Sequence, residues 1–162
     1  VRRAGRDDQH VTLQHLSVQS SSLCGNFAAL ADALIVTPVT SLQFFHCGVT
    51  DEDMEHIAAA LRDPGCRVTN LNLYENCIGP RGAKTIGEAL KTNKSLLDLR
   101  LMSNRILDDG GMALAAGLKR NTSLVSLGLQ ATGVTRRTHA AFAATSRSNT
   151  TLTKLGLPPK RN

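Results

Sequence analysis

Tryptophan is absent from these 162 residues, tyrosine occurs once, and four phenylalanines bring the aromatic content to only 3%. So few rings offer no row of platforms for stacking single-stranded bases, and nucleic acid is not an expected partner. Long apolar runs are missing too. None approaches the ~20 residues of a membrane span, so no membrane association is expected. The opening Val1-Arg2-Arg3-Ala4-Gly5-Arg6 lacks the apolar centre of a secretory signal. The four cysteines (Cys24, Cys47, Cys66 and Cys77) form no C-x-x-C pair and no set with zinc spacing. They read as small, reduced, mostly buried side chains of an intracellular protein. The phosphate-binding string G-x-x-x-x-G-K-[ST] does not occur. Asp51-Glu52-Asp53 and Asp108-Asp109 fall at expected helix starts, where capping and the helix dipole account for acids. His46 is expected to point outward and Cys47 inward, so the two do not read as a thiol–imidazole pair. The chain reads as noncatalytic, with no metal and no cofactor.

Charge is present but uneven. The net charge is +6; residues 1–81 carry six Lys/Arg against nine Asp/Glu, −3, and residues 82–162 carry thirteen against four, +9. Such a basic half fits either a solvated helix surface or an acidic partner.

What dominates the sequence is repetition. The stretch 68–93, VTNLNLYENCIGPRGAKTIGEALKTN, recurs 28 residues later as LLDLRLMSNRILDDGGMALAAGLKRN. Leu71 falls on Leu99, Leu73 on Leu101, Asn76 on Asn104, Ile78 on Ile106, Gly82 on Gly110 and Leu90 on Leu118. Each unit reads as a short strand, a turn and a helix. Units open at residues 13, 39, 68, 96, 124 and 152, after a polar lead-in (1–12) and before a basic tail (158–162). The 3.6-residue periodicity predicts helices over 26–34, 51–61 and 135–146 in the first, second and fifth units. Each L-x-L puts two leucines on one strand face. No single unit can cover that face, so the units must stack. Helices are wider than the ~4.8 Å strand spacing, which bends the stack with its strands inside. Asn76 and Asn104 stand where the chain leaves the strand, with amides suited to satisfying a buried turn. Ser21, Cys47 and Thr132 hold the equivalent place. Gly82 and Gly110 allow close approach at helix starts.

The string L-x-x-L-x-L-x-x-N-x-I at this period is that of a leucine-rich repeat. With its helical return segment, spelled by Leu96, Leu99, Leu101, Asn104, Ile106, Gly110, Leu114, Leu118, Asn121, Ser123 and Leu124, the unit resembles the ribonuclease-inhibitor-like subfamily. The resemblance departs at Asp53 and Thr138, which take the Gly position, and at Ser146, which takes the last helix Leu. It implies an α/β fold: a curved leucine-rich-repeat solenoid of about five and a half repeats, with parallel strands on the concave face and helices on the convex face. It also implies a surface for binding another protein. The subfamily includes regulators of small GTPases, in which an exposed arginine such as Arg100 or Arg105 would serve, and cytoskeletal and ciliary proteins. A cytoplasmic, cytoskeletal or ciliary location is expected on the same ground, and a structural subunit of a larger cytoskeletal, ciliary or ribonucleoprotein assembly is a further alternative.

Residues flanking the inward leucines should form three concave columns. The first is His15, Ser41, Asn70, Asp98, Ser126 and Lys154; the second is Ser17, Gln43, Asn72, Arg100, Gly128 and Gly156. The third, Gln19, Phe45, Tyr74, Met102 and Gln130, puts two rings and a methionine on consecutive repeats. Phe45, Tyr74 and Met102, with Gln43, Asn72 and Arg100 alongside, are the expected partner-binding residues. Chance exposure, or cover by a flanking segment, would give the same pattern. The sixth strand has no helix after it, so the chain reads as part of a longer protein or as one whose end a partner covers.

Overall fold

The computed structural model describes residues 13–19 and 27–159. The expected lead-in, Ser21, Leu23, Cys24, Asn26 and the basic pair Lys160-Arg161 lie outside the described residues. Eleven elements alternate: β1 (His15–Gln19), α1 (Phe27–Val36), β2 (Ser41–Phe45), α2 (Asp51–Arg62), β3 (Asn70–Asn72), α3 (Pro80–Leu90), β4 (Asp98–Arg100), α4 (Leu107–Leu118), β5 (Ser126–Gly128), α5 (Arg136–Thr145) and β6 (Lys154–Gly156). The strands pair in parallel and in chain order. The register aligns Leu16, Leu42, Leu71, Leu99, Leu127 and Leu155 across the sheet. This is the curved leucine-rich-repeat solenoid expected from the period.

The core runs the length of the stack. Leu42, Phe44, Leu71, Leu73, Leu99, Leu101, Leu127 and Leu129 are buried from the sheet side. They meet Ile57, Leu61, Ile86, Leu90, Leu114, Leu118 and Phe142 from the helices. Burial fades at the last strand, where Leu155 is exposed, because no helix among the described residues packs beyond it. Helix limits differ slightly from the periodicity: α1 continues to Val36 and α2 to Arg62, whereas α5 is one residue shorter at each end.

Strands β2, β3, β4 and β5 lead into the same turn. His46, Glu75, Ser103 and Ala131 occupy one equivalent position and all have φ between 53° and 56°. A left-handed non-glycine residue costs on the order of 1 kcal/mol, so the following residue must hold the turn. Asn76 does so by donating to the Phe44 and Tyr74 carbonyls while accepting from the Cys47 and Val49 amides. Asn104 repeats the arrangement with Leu73, Leu101 and Ile78. Cys47 imitates it: its thiol donates to the Val18 and Phe45 carbonyls, each at 3.3 Å. Thr132 makes one such bond, to Leu129. The Cys47 thiol is therefore occupied with backbone, while His46 lies outside, 3.7 Å from Glu75. Cys77, by contrast, is exposed rather than buried.

A second ladder lies at the opposite end of each helix. Asn93, Asn121 and Asn149 are buried, and each amide nitrogen donates back to a carbonyl at the end of the preceding repeat's helix: Leu61, Leu90 and Leu118. Each side-chain oxygen accepts from the amide that opens the next strand segment: Leu96, Leu124 or Leu152. Helix C-terminal carbonyls that would otherwise be buried and unpaired are satisfied from within.

The acids at the helix starts act across repeats. Asp53 closes a capping box on its own helix with Thr50. Asp51, however, accepts from the Gly79 amide at the start of α3 (2.7 Å), and Glu52 pairs with Arg81. Asp108 at the start of α4 caps α5, accepting from the amides of Thr135 (2.8 Å) and Thr138 (3.3 Å) and from both hydroxyls. The departures from the repeat pattern thus have local causes. Asp53 supplies a cap, and Thr138 bonds Asp108 where Gly111 leaves it room.

Partial burial pushes the Asp108 carboxyl up, but hydrogen bonds from Thr135 and Thr138 outweigh this and hold it at about 2, against an ordinary 3.8. A lowered folded pKa gives stability that is present above the ordinary value and lost as pH falls toward the folded one. We therefore expect acid sensitivity between about pH 4 and pH 2 from this cap. Asp108→Asn should cost on the order of 1–2 kcal/mol at neutral pH and flatten that acid limb, read by urea unfolding at several pH values.

Candidate functional site

The columns flanking the inward leucines form the concave surface. Gln43 and Arg100 are exposed; Asn72, Phe45, Tyr74 and Met102 are half-buried. The aligned register sets Gln43 beside Asn72 and Asn72 beside Arg100. Ser41 departs from the expected pattern. It is buried, because its short side chain lies between the longer His15 and Asn70 on the paired strands.

Phe45 and Tyr74 stack face to face, with centroids 4.8 Å apart and planes 13° from parallel. The tight turn at His46 and Glu75 follows each ring directly. Asn72 is partly committed to structure, since its side-chain oxygen accepts from the Tyr74 amide at 3.1 Å. Arg100 is tethered along its own strand, Nε donating to Asp98 Oδ2 at 2.9 Å. Its two terminal amino groups make no hydrogen bond within the described residues.

Met102 extends in the other direction. Its sulfur lies over Gly128, in space that a Cβ there would fill, and Gln130 lies over Gly156 in the same way. The second column ends in these two glycines, so the floor drops. The result is an open hollow of about 530 Å³ lined by Arg100, Met102, Gly128, Gln130, Lys154 and Gly156. The structure thus joins Phe45 to Tyr74 and joins Arg100 to Met102 around the hollow. Column spacing gave no sign of it, although Gly128 and Gly156 at equivalent positions were the available signal.

The family model described as Leucine Rich repeat matches residues 37–58, from the end of the first repeat into the second, and residues 92–115, from the end of the third into the fourth. The matched segments are leucine-rich repeats, and the described residues have the leucine-rich-repeat fold. A helix returns after each of the first five strands, as the resemblance to the ribonuclease-inhibitor-like subfamily implies. Among solved structures, one titled Leiomodin-1 Actin-Binding Site 2 has a similar fold. Its TM-score is 0.65 at 24% identity, over 83% of this chain and 81% of that one. No curated protein matches. No helix among the described residues is long and apolar enough to cross a membrane.

Proposed function

We propose that these repeats form a noncatalytic scaffold that docks a partner protein on the concave strand face, with Phe45 and Tyr74 as the anchor. The observation that supports this most is the half-buried aromatic stack on a polar surface. Paired rings in the middle of a surface are the usual seat of binding energy, because they shed much water and little side-chain entropy. The hollow beside them would receive a partner side chain, with Arg100 and Lys154 at its rim favouring an acidic one. The similar solved structure is titled as an actin-binding site, which makes actin the first partner to test. The alternative reading, a regulator of a small GTPase, would need a mobile arginine. The Arg100–Asp98 tether disfavours that residue and leaves Arg105.

The test is cosedimentation with actin filaments and gel filtration with actin monomers, using the wild-type chain and a Phe45→Ser, Tyr74→Ala variant. Loss of two anchoring rings should weaken a concave-face partner at least ~30-fold. If actin does not bind, the same pair of proteins is compared for partners captured from lysate. Every partner retained equally by both would overturn the assignment.

A further inference from the structure

The basic half of the chain is not evenly coated. Arg62, Lys91, Lys119 and Arg147 stand 29, 28 and 28 residues apart, the repeat period itself. Arg62 is the last residue of α2, Lys91 and Lys119 are the C-caps of α3 and α4, and Arg147 follows the C-cap of α5. They form one column on the edge where helices turn back to strands. Lys94 and Arg120 flank it, and all six are exposed except the half-buried Lys91.

Few acids balance this edge. Four acids occur after residue 81. Asp98 is on the concave face with Arg100, Asp108 caps α5, and Asp109 lies at the far end of α4. Glu88 shares the edge and pairs with Lys91 at 2.6 Å. Before residue 81, Asp63, the C-cap of α2 beside Arg62, shares it too; its side chain accepts from the Gly65 amide at 2.7 Å, and two acids stand against six cations. Among the described residues Lys94, Lys119, Arg120 and Arg147 make no ion pair. The helix dipole alone would account for a cation at a helix C-terminus. Here, however, the buried asparagine ladder already donates to the Leu61, Leu90 and Leu118 carbonyls. Lys94 and Arg120 lie beyond the helices altogether.

We propose that this helix-C-terminal edge is a second interaction surface and that it takes an extended acidic segment of another polypeptide. Packed helices lie about 8–10 Å apart, so the cations recur at that interval. An extended chain rises ~3.3 Å per residue, so carboxylates at every third position match it. A hollow of about 410 Å³ opens between Arg62 and Lys94, with Asp63 also on its wall, and ends the column. Nucleic acid fits less well. The described aromatic side chains lie in the core (Phe27, Phe44, Phe142) or on the concave face (Phe45, Tyr74), and none is on this edge for bases to stack on. This surface is independent of the concave-face reading.

The probe is a fluorescent peptide of Glu-Ser-Gly repeats, titrated by polarisation at about 0.05 M and about 0.15 M salt. It is compared with an oligonucleotide of equal charge and with vesicles containing anionic lipid. A Lys119→Gln, Arg147→Gln variant should weaken peptide binding ~tenfold. An Arg136→Gln, Arg137→Gln variant removes the same charge from the opposite end of α5 and should change it less than about twofold. Unfolding curves of both variants confirm that they fold. Equal weakening by both would reduce the effect to net charge and overturn the proposal. So would tighter binding of the oligonucleotide or the vesicles, or no peptide binding at the lower salt.

Discussion

Replacing Gly117 with alanine is expected to be among the most damaging single changes in this chain. A Cβ there would lie inside the contact radius of the Gly87 carbonyl oxygen, and its next neighbours are also Gly87 backbone. Backbone cannot swing aside as a side-chain tip can, so α3 and α4 would have to separate. Alanine raises helix propensity by about 1 kcal/mol over glycine. The overpacking penalty should exceed that, at about 3–5 kcal/mol, for a net loss of about 2–4 kcal/mol in urea unfolding. Gly87→Ala meets the Ala113 carbonyl oxygen at 2.7 Å and should act in the same direction. The two losses should sum to more than the double variant shows, since one separation relieves both collisions. Gly48 is the control. Nothing lies within 4 Å of its added Cβ, and only its φ of +69° opposes alanine, at about 1 kcal/mol. In a stack held by nearest neighbours, loosening the α3–α4 contact should also split one transition toward two. An unchanged midpoint and slope for Gly117→Ala would show that the helices are not locked there.

The second large effect is expected at Asn121. Its side chain donates to the Leu90 and Asn93 carbonyls at 2.8 and 3.1 Å. It accepts from the Ser123 and Leu124 amides at 3.1 and 2.7 Å. At 2% exposure no water replaces it. Asn121→Ala leaves several buried backbone groups without partners and should cost about 3–5 kcal/mol. Asn121→Asp distinguishes a lost hydrogen bond from a lost shape. An ionised carboxylate facing two carbonyls is repelled, so the folded state would hold the new carboxyl protonated, its pKa raised above the unfolded one. That contribution is present at low pH and lost as pH rises. The gap to wild type should therefore widen from pH 4 toward pH 7, whereas Asn121→Ala should keep a constant gap.

Much of this architecture was legible because it is written once per repeat. The L-x-L pairs, the turn residues Asn76 and Asn104, and the substitution of Cys47 for asparagine all follow from position within the period. So does the adjacency of Phe45 and Tyr74, 29 residues apart. What the period does not carry depends on relations between unequal positions. Gly87 and Gly117 interlock although they are not equivalent residues of their repeats. Asp51 and Asp108 cap the following helix rather than their own, which no single-repeat reading contains. Met102 leaves the aromatic column because Gly128, one repeat on and one column over, has no side chain to keep it out. The Asn93, Asn121 and Asn149 ladder, by contrast, is written in the period, since asparagine with serine or threonine two residues on recurs every 28 residues.

That ladder carries a consequence for how the chain can be produced. Asn93-Lys94-Ser95, Asn121-Thr122-Ser123 and Asn149-Thr150-Thr151 each spell the acceptor for N-linked sugar. In the finished fold the acceptor nitrogens are buried donors to helix carbonyls and out of any enzyme's reach. In a nascent chain threaded through a glycosylating compartment they would be open. One oligosaccharide at any of them would replace one of the two amide hydrogens that join the repeats and put a bulky group in its place. The same three asparagines that knit the solenoid together would then be the points at which secretion prevents it from closing.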